Sequence, residues 1–182
     1  RTVAGVDALV TVSEAMRRPA IADFGAPAAR VHTVVNGFNT GVSHPRDRQA
    51  MRQKLGISAD AKLMVYVGRL VESKGLRELL AAFAALSGSD PSLQLALVGE
   101  GVMREELDHM VQTAGLQQRV VMPGGMEPQQ VAEWICASDL LTLPSWSEGY
   151  PNVVVEALAC GVPVVATDVG GTREIIDERN GL

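Results

Sequence analysis

Short apolar segments, repeated along the chain with helix-like segments between them, restrict its fold more than any other feature. Ala8–Val12, Val31–Val35, Leu63–Val67, Leu93–Val98, Val120–Met122, Leu140–Leu143 and Val162–Ala166 read as strands. Several are apolar without alternation, the pattern of strands covered on both faces. Leu76, Leu79, Leu80, Phe83 and Leu86 recur at helical spacing and mark one face of a helix. Val131, Trp134 and Ile135 do the same for a shorter helix, which Pro128 suits as its first turn because its missing N–H costs nothing there. Alternating β and α segments predict an α/β fold with a doubly wound parallel sheet.

A chain of 182 residues can bury one ordinary α/β core plus a fragment of a second domain. Its 47% hydrophobic and 20% charged content is globular rather than disordered. The formal net charge of -5 argues against a general nucleic-acid surface, which needs broad phosphate neutralisation. A small anion is a different matter, since a few well-placed groups can make an acidic protein locally basic. Cys136 and Cys160 lie in apolar, helix-like contexts and read as buried small side chains. His32, His44 and His109 are scattered and no CxxC or HExxH spacing occurs, so no metal site is expected. No apolar run is long enough to span a bilayer and no signal-peptide pattern is visible. The expected compartment is the cytoplasm. Residues 36–47 (NGFNTGVSHPRD) are rich in turn formers and poor in periodic apolar positions. The expected boundary therefore falls near Asn36-Gly37. Residues 1–36 form the tail end of one domain with its linker, and 37–182 a nearly complete second domain.

In parallel α/β sheets ligands bind outside the carboxyl ends of the strands, so the segments just after each strand are the candidates. After Leu63–Val67 comes Gly68-Arg69-Leu70-Val71-Glu72-Ser73-Lys74-Gly75, which holds two cations near a helix start. Arg offers a planar fork for phosphate oxygens and Lys a compact charge, and the helix end adds positive potential. Lys74 is accompanied in the whole chain only by Lys54 and Lys62, so this is no generic basic face. An ordinary solvated helix start fits the same spacing. Gly99-Glu100-Gly101 resembles the start of a dinucleotide fingerprint, but Arg104 stands at the third glycine position, and a tight strand-to-helix turn is the better reading. Pro123-Gly124-Gly125-Met126 is by itself a turn that gives a ligand close access to backbone groups.

The fourth segment, Pro144 to Asn152 (PSWSEGYPN), leads into the helical stretch Val153–Cys160. Pro151 suits the first helical turn, which would place free N–H groups beside the strand end, where they can hold an anion. Glu148 lies in the loop and Glu156 about one turn inside the helix, so the two carboxylates can meet different hydroxyl-bearing parts of one ligand. A dipole-favoured acid and a solvated helix residue would give the same spacing.

Taken together these segments resemble the C-terminal domain of the retaining, GT-B-fold glycosyltransferases called group 1 or family 4. The resemblance covers most of the chain in order. It runs through the Asn36-Gly37 turn, the Gly-Arg-Leu…Lys-Gly loop, the Gly-x-Gly turn and Pro-Ser-x-x-Glu-Gly-x-Pro, then Glu-Ala-x-Ala-x-Gly-x-Pro-Val from Glu156 to Val164. Glu148 and Glu156 reproduce that family's E-x7-E spacing. The resemblance implies a Rossmann-like sheet, the C-terminal half of a GT-B fold, and a nucleoside-diphosphate sugar as donor. Arg69 and Lys74, with Gly68 beside them, would bind the donor diphosphate and stabilise the leaving nucleotide. Backbone amides of the segment Gly149, Tyr150, Pro151, Asn152, Val153 would hold phosphates and part of the donor sugar. Glu148 would contact the transferred sugar, Glu156 the ribose, and Met126 or its neighbours would lie near the base. No cofactor and no obligatory metal are implied.

The chain departs from the family pattern at Phe38-Asn39, where an apolar residue followed by Asp is usual, so the linker geometry is expected to differ. It also reads as a fragment, ending at Asn180-Gly181-Leu182, that binds donor but transfers poorly alone. An N-terminal domain would supply the acceptor site, for an unidentified carbohydrate or lipid-linked acceptor, and any route to the cytoplasmic face of the membrane. A non-catalytic nucleotide-sugar-binding module or a GT-B sugar-nucleotide epimerase would carry the same motifs. A glycosidase-style use of Glu148 and Glu156 would leave the adjacent phosphate site without purpose.

Overall fold

The computed structural model describes residues 6–182. A parallel pair, β1 (Leu9–Thr11) and β2 (Val31–Thr33), is joined through α1 (Glu14–Ala22) and stands apart from the main sheet. The rest alternates: α2 (Arg48–Leu55), β3 (Lys62–Val67), α3 (Leu76–Ser87), β4 (Leu93–Val98), α4 (Arg104–Thr113), β5 (Val120–Gly124), α5 (Pro128–Ala137), β6 (Leu140–Leu143), α6 (Asn152–Ala159) and β7 (Val164–Ala166). The five later strands form one sheet in the order β5-β4-β3-β6-β7, every pair parallel. This is the doubly wound arrangement expected. Strand order reverses between β3 and β6, which opens a crevice at their carboxyl ends.

Runs of consecutive residues are buried on both faces of the inner strands, Leu95 to Val98 in β4 and Leu141 to Leu143 in β6. Burying each large apolar side chain here contributes about 1.5–3 kcal/mol. In α3, Leu76, Leu79, Leu80 and Phe83 point into the core, but Leu86, expected on the same face, is 54% exposed. Helical spacing determines which residues share a face and not where the covering sheet ends. Cys136 and Cys160 are both buried, as their apolar contexts imply.

Several strand limits differ from expectation. β5 continues through Pro123, which is tolerated because β5 is an edge strand and needs no outward N–H partner. β7 starts at Val164 rather than Val162, because the Val162 amide donates to Ala157 O and so closes the end of α6, while Pro163 has no N–H to offer. β1 and β2 are each a residue or more shorter than their apolar runs.

The Gly99-Glu100-Gly101 segment is the tight turn that the sequence favoured. Gly99 has φ +147°, and a Cβ there would stand 1.9 Å from the Gly68 carbonyl oxygen. The loops after β3 and β4 are thus stacked backbone on backbone. Gly99→Ala should destabilise the fold by about 3 kcal/mol or more, through strain and forced separation of these loops. Gly88→Ala, whose Cβ meets only ordinary contact, is the control. Urea unfolding midpoints check the difference.

Candidate active site

The crevice between β3 and β6 collects nearly every residue singled out in the sequence. One cavity of ≈ 340 Å³ is lined by Gly68, Arg69, Lys74, Glu148, Tyr150, Pro151, Asn152, Val153 and Glu156, with Val67 and Leu143 as its floor. A neighbouring cavity of ≈ 370 Å³ continues past Arg69 to Gly99, Glu100, Gly125 and Met126. A third, ≈ 200 Å³, runs from Glu156 and Met126 to Val42 and Ser43 in the linker. Shared lining residues make the three one groove across the strand ends. Gly149 does not line it, but forms backbone just behind it.

The two loops that build the groove are locked together. Gly75 has φ +64°, and a Cβ there would stand 2.1 Å from the Pro144 carbonyl oxygen. The Trp146 amide donates to Ser73 O at 2.9 Å. Lys74 Nζ lies 2.5 Å from Glu148 Oε1, with the two side chains only 17% and 11% exposed. At that burial both charges have given up much of their hydration, so removing one partner strands the other. Sequence reasoning assigned these two groups to different parts of a ligand; folding makes them partners. Lys74 ends a 3-10 turn, Glu72–Lys74, and directly precedes left-handed Gly75, the N-cap of α3.

Arg69 is in the opposite condition. Its guanidinium makes no hydrogen bond or ion pair among the described residues, although it borders two of the cavities. Its backbone is fixed from below: the Tyr66 hydroxyl, wholly buried, donates to Arg69 O at 2.8 Å. Burial pushes the Tyr66 phenol well above its usual range; the nearby Glu148 carboxylate adds to this and Arg69 opposes it. Sequence reasoning passed over Tyr66. A tyrosine inside an otherwise apolar buried strand was the available signal, since its hydroxyl must find a partner.

Pro151 corrects an expectation by one residue. It is the N-cap of α6, extended at ψ 99°, and Asn152 begins the helix. Its carbonyl accepts the Val154 amide at 3.0 Å. Pro151 has no N–H, so of the segment Gly149 to Val153 only Gly149, Tyr150, Asn152 and Val153 have amides to offer, and these donate to nothing among the described residues. The start of α6 therefore presents open N–H donors. In the linker, Asn39 does not break the chain's course: its Oδ1 accepts the Gly41 amide at 2.9 Å and its carbonyl the Ser43 amide at 2.8 Å.

Glu156 is half-buried with no hydrogen-bond or ion-pair partner for its side chain among the described residues, and loss of hydration pushes its carboxyl above the ordinary carboxylate range. A larger depression of ≈ 740 Å³ beside Arg179–Leu182 lacks such convergence, since Arg179 is paired with Asp177 and Asp139 with Arg48 and Arg52.

The family model for glycosyl transferases group 1 matches residues 47–182. The chain belongs to the group 1 glycosyltransferases. It is 38% identical over 135 residues to a putative teichuronic acid biosynthesis glycosyltransferase of Bacillus subtilis, covering 74% of this chain and 32% of that protein. It is 31% identical over 193 residues to a D-inositol 3-phosphate glycosyltransferase of Xylanimonas cellulosilytica, covering 100% of this chain and 46% of the other. The crystal structure of the Anabaena protein HepE in complex with UDP and glucose superimposes with a TM-score of 0.85 at 27% identity, over 97% of this chain and 48% of that one. The chain thus spans about a third to a half of the length of the relatives it matches. Its Rossmann-like parallel sheet matches the GT-B glycosyltransferase structures, as the ordered motifs implied.

For this family member, the uncompensated carboxylate of Glu156 has a stability cost. Its folded-state pKa is raised, so the folded protein binds this proton more readily than the unfolded chain does, and ionising Glu156 works against folding. Glu156→Gln should therefore raise Tm at pH 7, with the gain shrinking as pH falls through the raised pKa and Glu156 in the parent protonates. Calorimetric melting of both forms between pH 4 and pH 8 checks the sign.

Proposed function

We propose that this chain carries the donor site of a retaining glycosyltransferase that moves a hexosyl group from a nucleoside-diphosphate sugar to a hydroxyl acceptor. One observation carries the reading: an unpaired guanidinium, the open amides of a helix start and two carboxylates converge on one groove at the switch point of the sheet. The UDP and glucose in the HepE crystal structure support the ligand class.

The reaction makes an electrostatic demand. As the bond between the sugar and the diphosphate breaks, its electrons pass to a phosphate oxygen while the sugar becomes oxocarbenium-like. Arg69 and the amides of Gly149, Tyr150, Asn152 and Val153 are the donors with capacity to spare for that charge. Lys74 supplies a second cation. An ammonium has three N–H groups, so it can hold Glu148 and a phosphate oxygen together. Glu148 Oε2 is left to accept from hydroxyls of the transferred sugar. Glu156, deeper along the groove, accepts from the ribose, and Met126 lies against the base. Charge compensation by these residues makes an obligatory metal unnecessary in this reading. Acceptor binding, for a carbohydrate or lipid-linked hydroxyl compound, is assigned to an N-terminal domain of the whole protein.

Calorimetric titration of the chain with UDP, GDP and ADP should give binding with at least one, and silence with all three overturns the donor site. Arg69→Ala, which orphans no partner, should weaken that binding roughly 10- to 100-fold, the size of a lost charged hydrogen bond. Unchanged affinity would remove Arg69 from the phosphate site. In the whole protein, NMR of the product's anomeric centre decides the stereochemistry; an inverted product refutes the retaining assignment.

A further inference from the structure

The segment assigned above to the donor phosphates is gripped from behind, and the grip ends on a carboxylate that the groove does not use. Glu174 closes the 3-10 turn Gly170–Glu174 after β7. Its Oε1 accepts from the Ala15 amide at 2.8 Å and its Oε2 from the Glu14 amide at 3.0 Å. These are the first two amides of α1, which no turn of that helix can satisfy. The third, Met16, donates to Ser13 Oγ at 3.2 Å. The start of α1 is therefore capped half by its own N-cap and half by a residue 160 positions away.

Gly149 packs beside this contact. A Cβ on Gly149 would stand 2.9 Å from Met16 Sδ and 3.5 Å from Val12 Cγ2. A Cβ on Gly171 would stand 2.3 Å from the Gly149 carbonyl oxygen and 2.9 Å from Ser13 Cβ. The backbone at Gly149 thus meets both the first turn of α1 and the turn carrying Glu174, which also touch each other at Ser13 and Gly171. Asn36 adds a tie from the linker, its Nδ2 donating to Asn152 Oδ1 at 3.0 Å.

We propose that Glu174 is a positioning residue for the donor loop: by clasping the start of α1 it presses that helix onto Gly149 and orders the amides of Gly149, Tyr150, Asn152 and Val153. The proposal rests on the donor-site reading for its purpose, though not for its geometry. Both hydrogen bonds run from a helix start to an ionised carboxylate, so they are charge-assisted and aligned with the helix dipole. Glu174 does not line the groove and touches no substrate.

The test is amide hydrogen exchange on the unliganded chain, in the parent, Glu174→Ala and Glu174→Gln. The reporters are two hydrogen-bonded amides flanking Gly149, Trp146 in the loop and Val154 in the first turn of α6, with Leu95 of β4 as the core control. Glu174→Ala should speed exchange at both reporters roughly tenfold and leave Leu95 unchanged, since only the local opening is eased. Glu174→Gln keeps the reach but loses the charge, and should fall between the two. Unchanged reporters in Glu174→Ala overturn the clasp, and so does Glu174→Gln behaving as the parent, the result of packing alone. Affinity for whichever nucleoside diphosphate binds the parent should fall in the same order. If none binds the parent, the donor-site reading fails, while the exchange rates still decide the clasp.

Discussion

The Lys74–Glu148 pair is the contact on which the crevice depends. The two residues are 74 positions apart, in loops that leave β3 and β6 on either side of the point where strand order reverses. Loops at such a point naturally diverge, because the segments after them pack on opposite faces of the sheet. Here an ion pair, a backbone hydrogen bond from Trp146 to Ser73 and the close approach of Gly75 to Pro144 hold them together. A pair this buried is costly to form and costlier to break from one side. It keeps the groove assembled before any ligand arrives, so binding energy is not spent on drawing the loops together.

With that frame set, the groups around the groove divide by how far their needs are met. Lys74 is paired and placed. Arg69 is held at its backbone by Tyr66 and left free at its guanidinium. Among the described residues nothing pairs with the amides at the start of α6 or with the half-buried carboxylate of Glu156. A fold under selection for stability alone would satisfy or expose such groups. Leaving a cation, several N–H donors and a carboxylate unsatisfied around one concavity is what the proposed donor site requires.

The β1–α1–β2 unit belongs to a different sheet, yet it reaches the groove. Met16 and Val12 rest on Gly149, Asn36 bonds Asn152, and the linker places Val42 and Ser43 along the groove beside Glu156. Any movement between the two sheets would pass through these contacts into the loop that lines the groove. The carboxylate of Glu174 accepts from the first amides of α1 beside the same contacts.

The sequence by itself determined the elements and the loops. Apolar runs gave β4 and β6 at their observed limits, helical spacing and Pro128 gave α5, and the glycine- and proline-bearing segments after the strands held every glycine of the groove and all its charged residues but Glu156. These signals are local: a strand covered on both faces, a helix start and a tight turn each constrain residues close in sequence. What the tertiary structure decided is which of those residues meet. Leu86 falls outside the core, Lys74 spends a hydrogen bond on Glu148, Tyr66 supports Arg69, and Glu174 caps a helix near the other end of the chain. Such contacts leave no periodic trace, because they exist only once the order β5-β4-β3-β6-β7 has brought distant loops to one edge of the sheet.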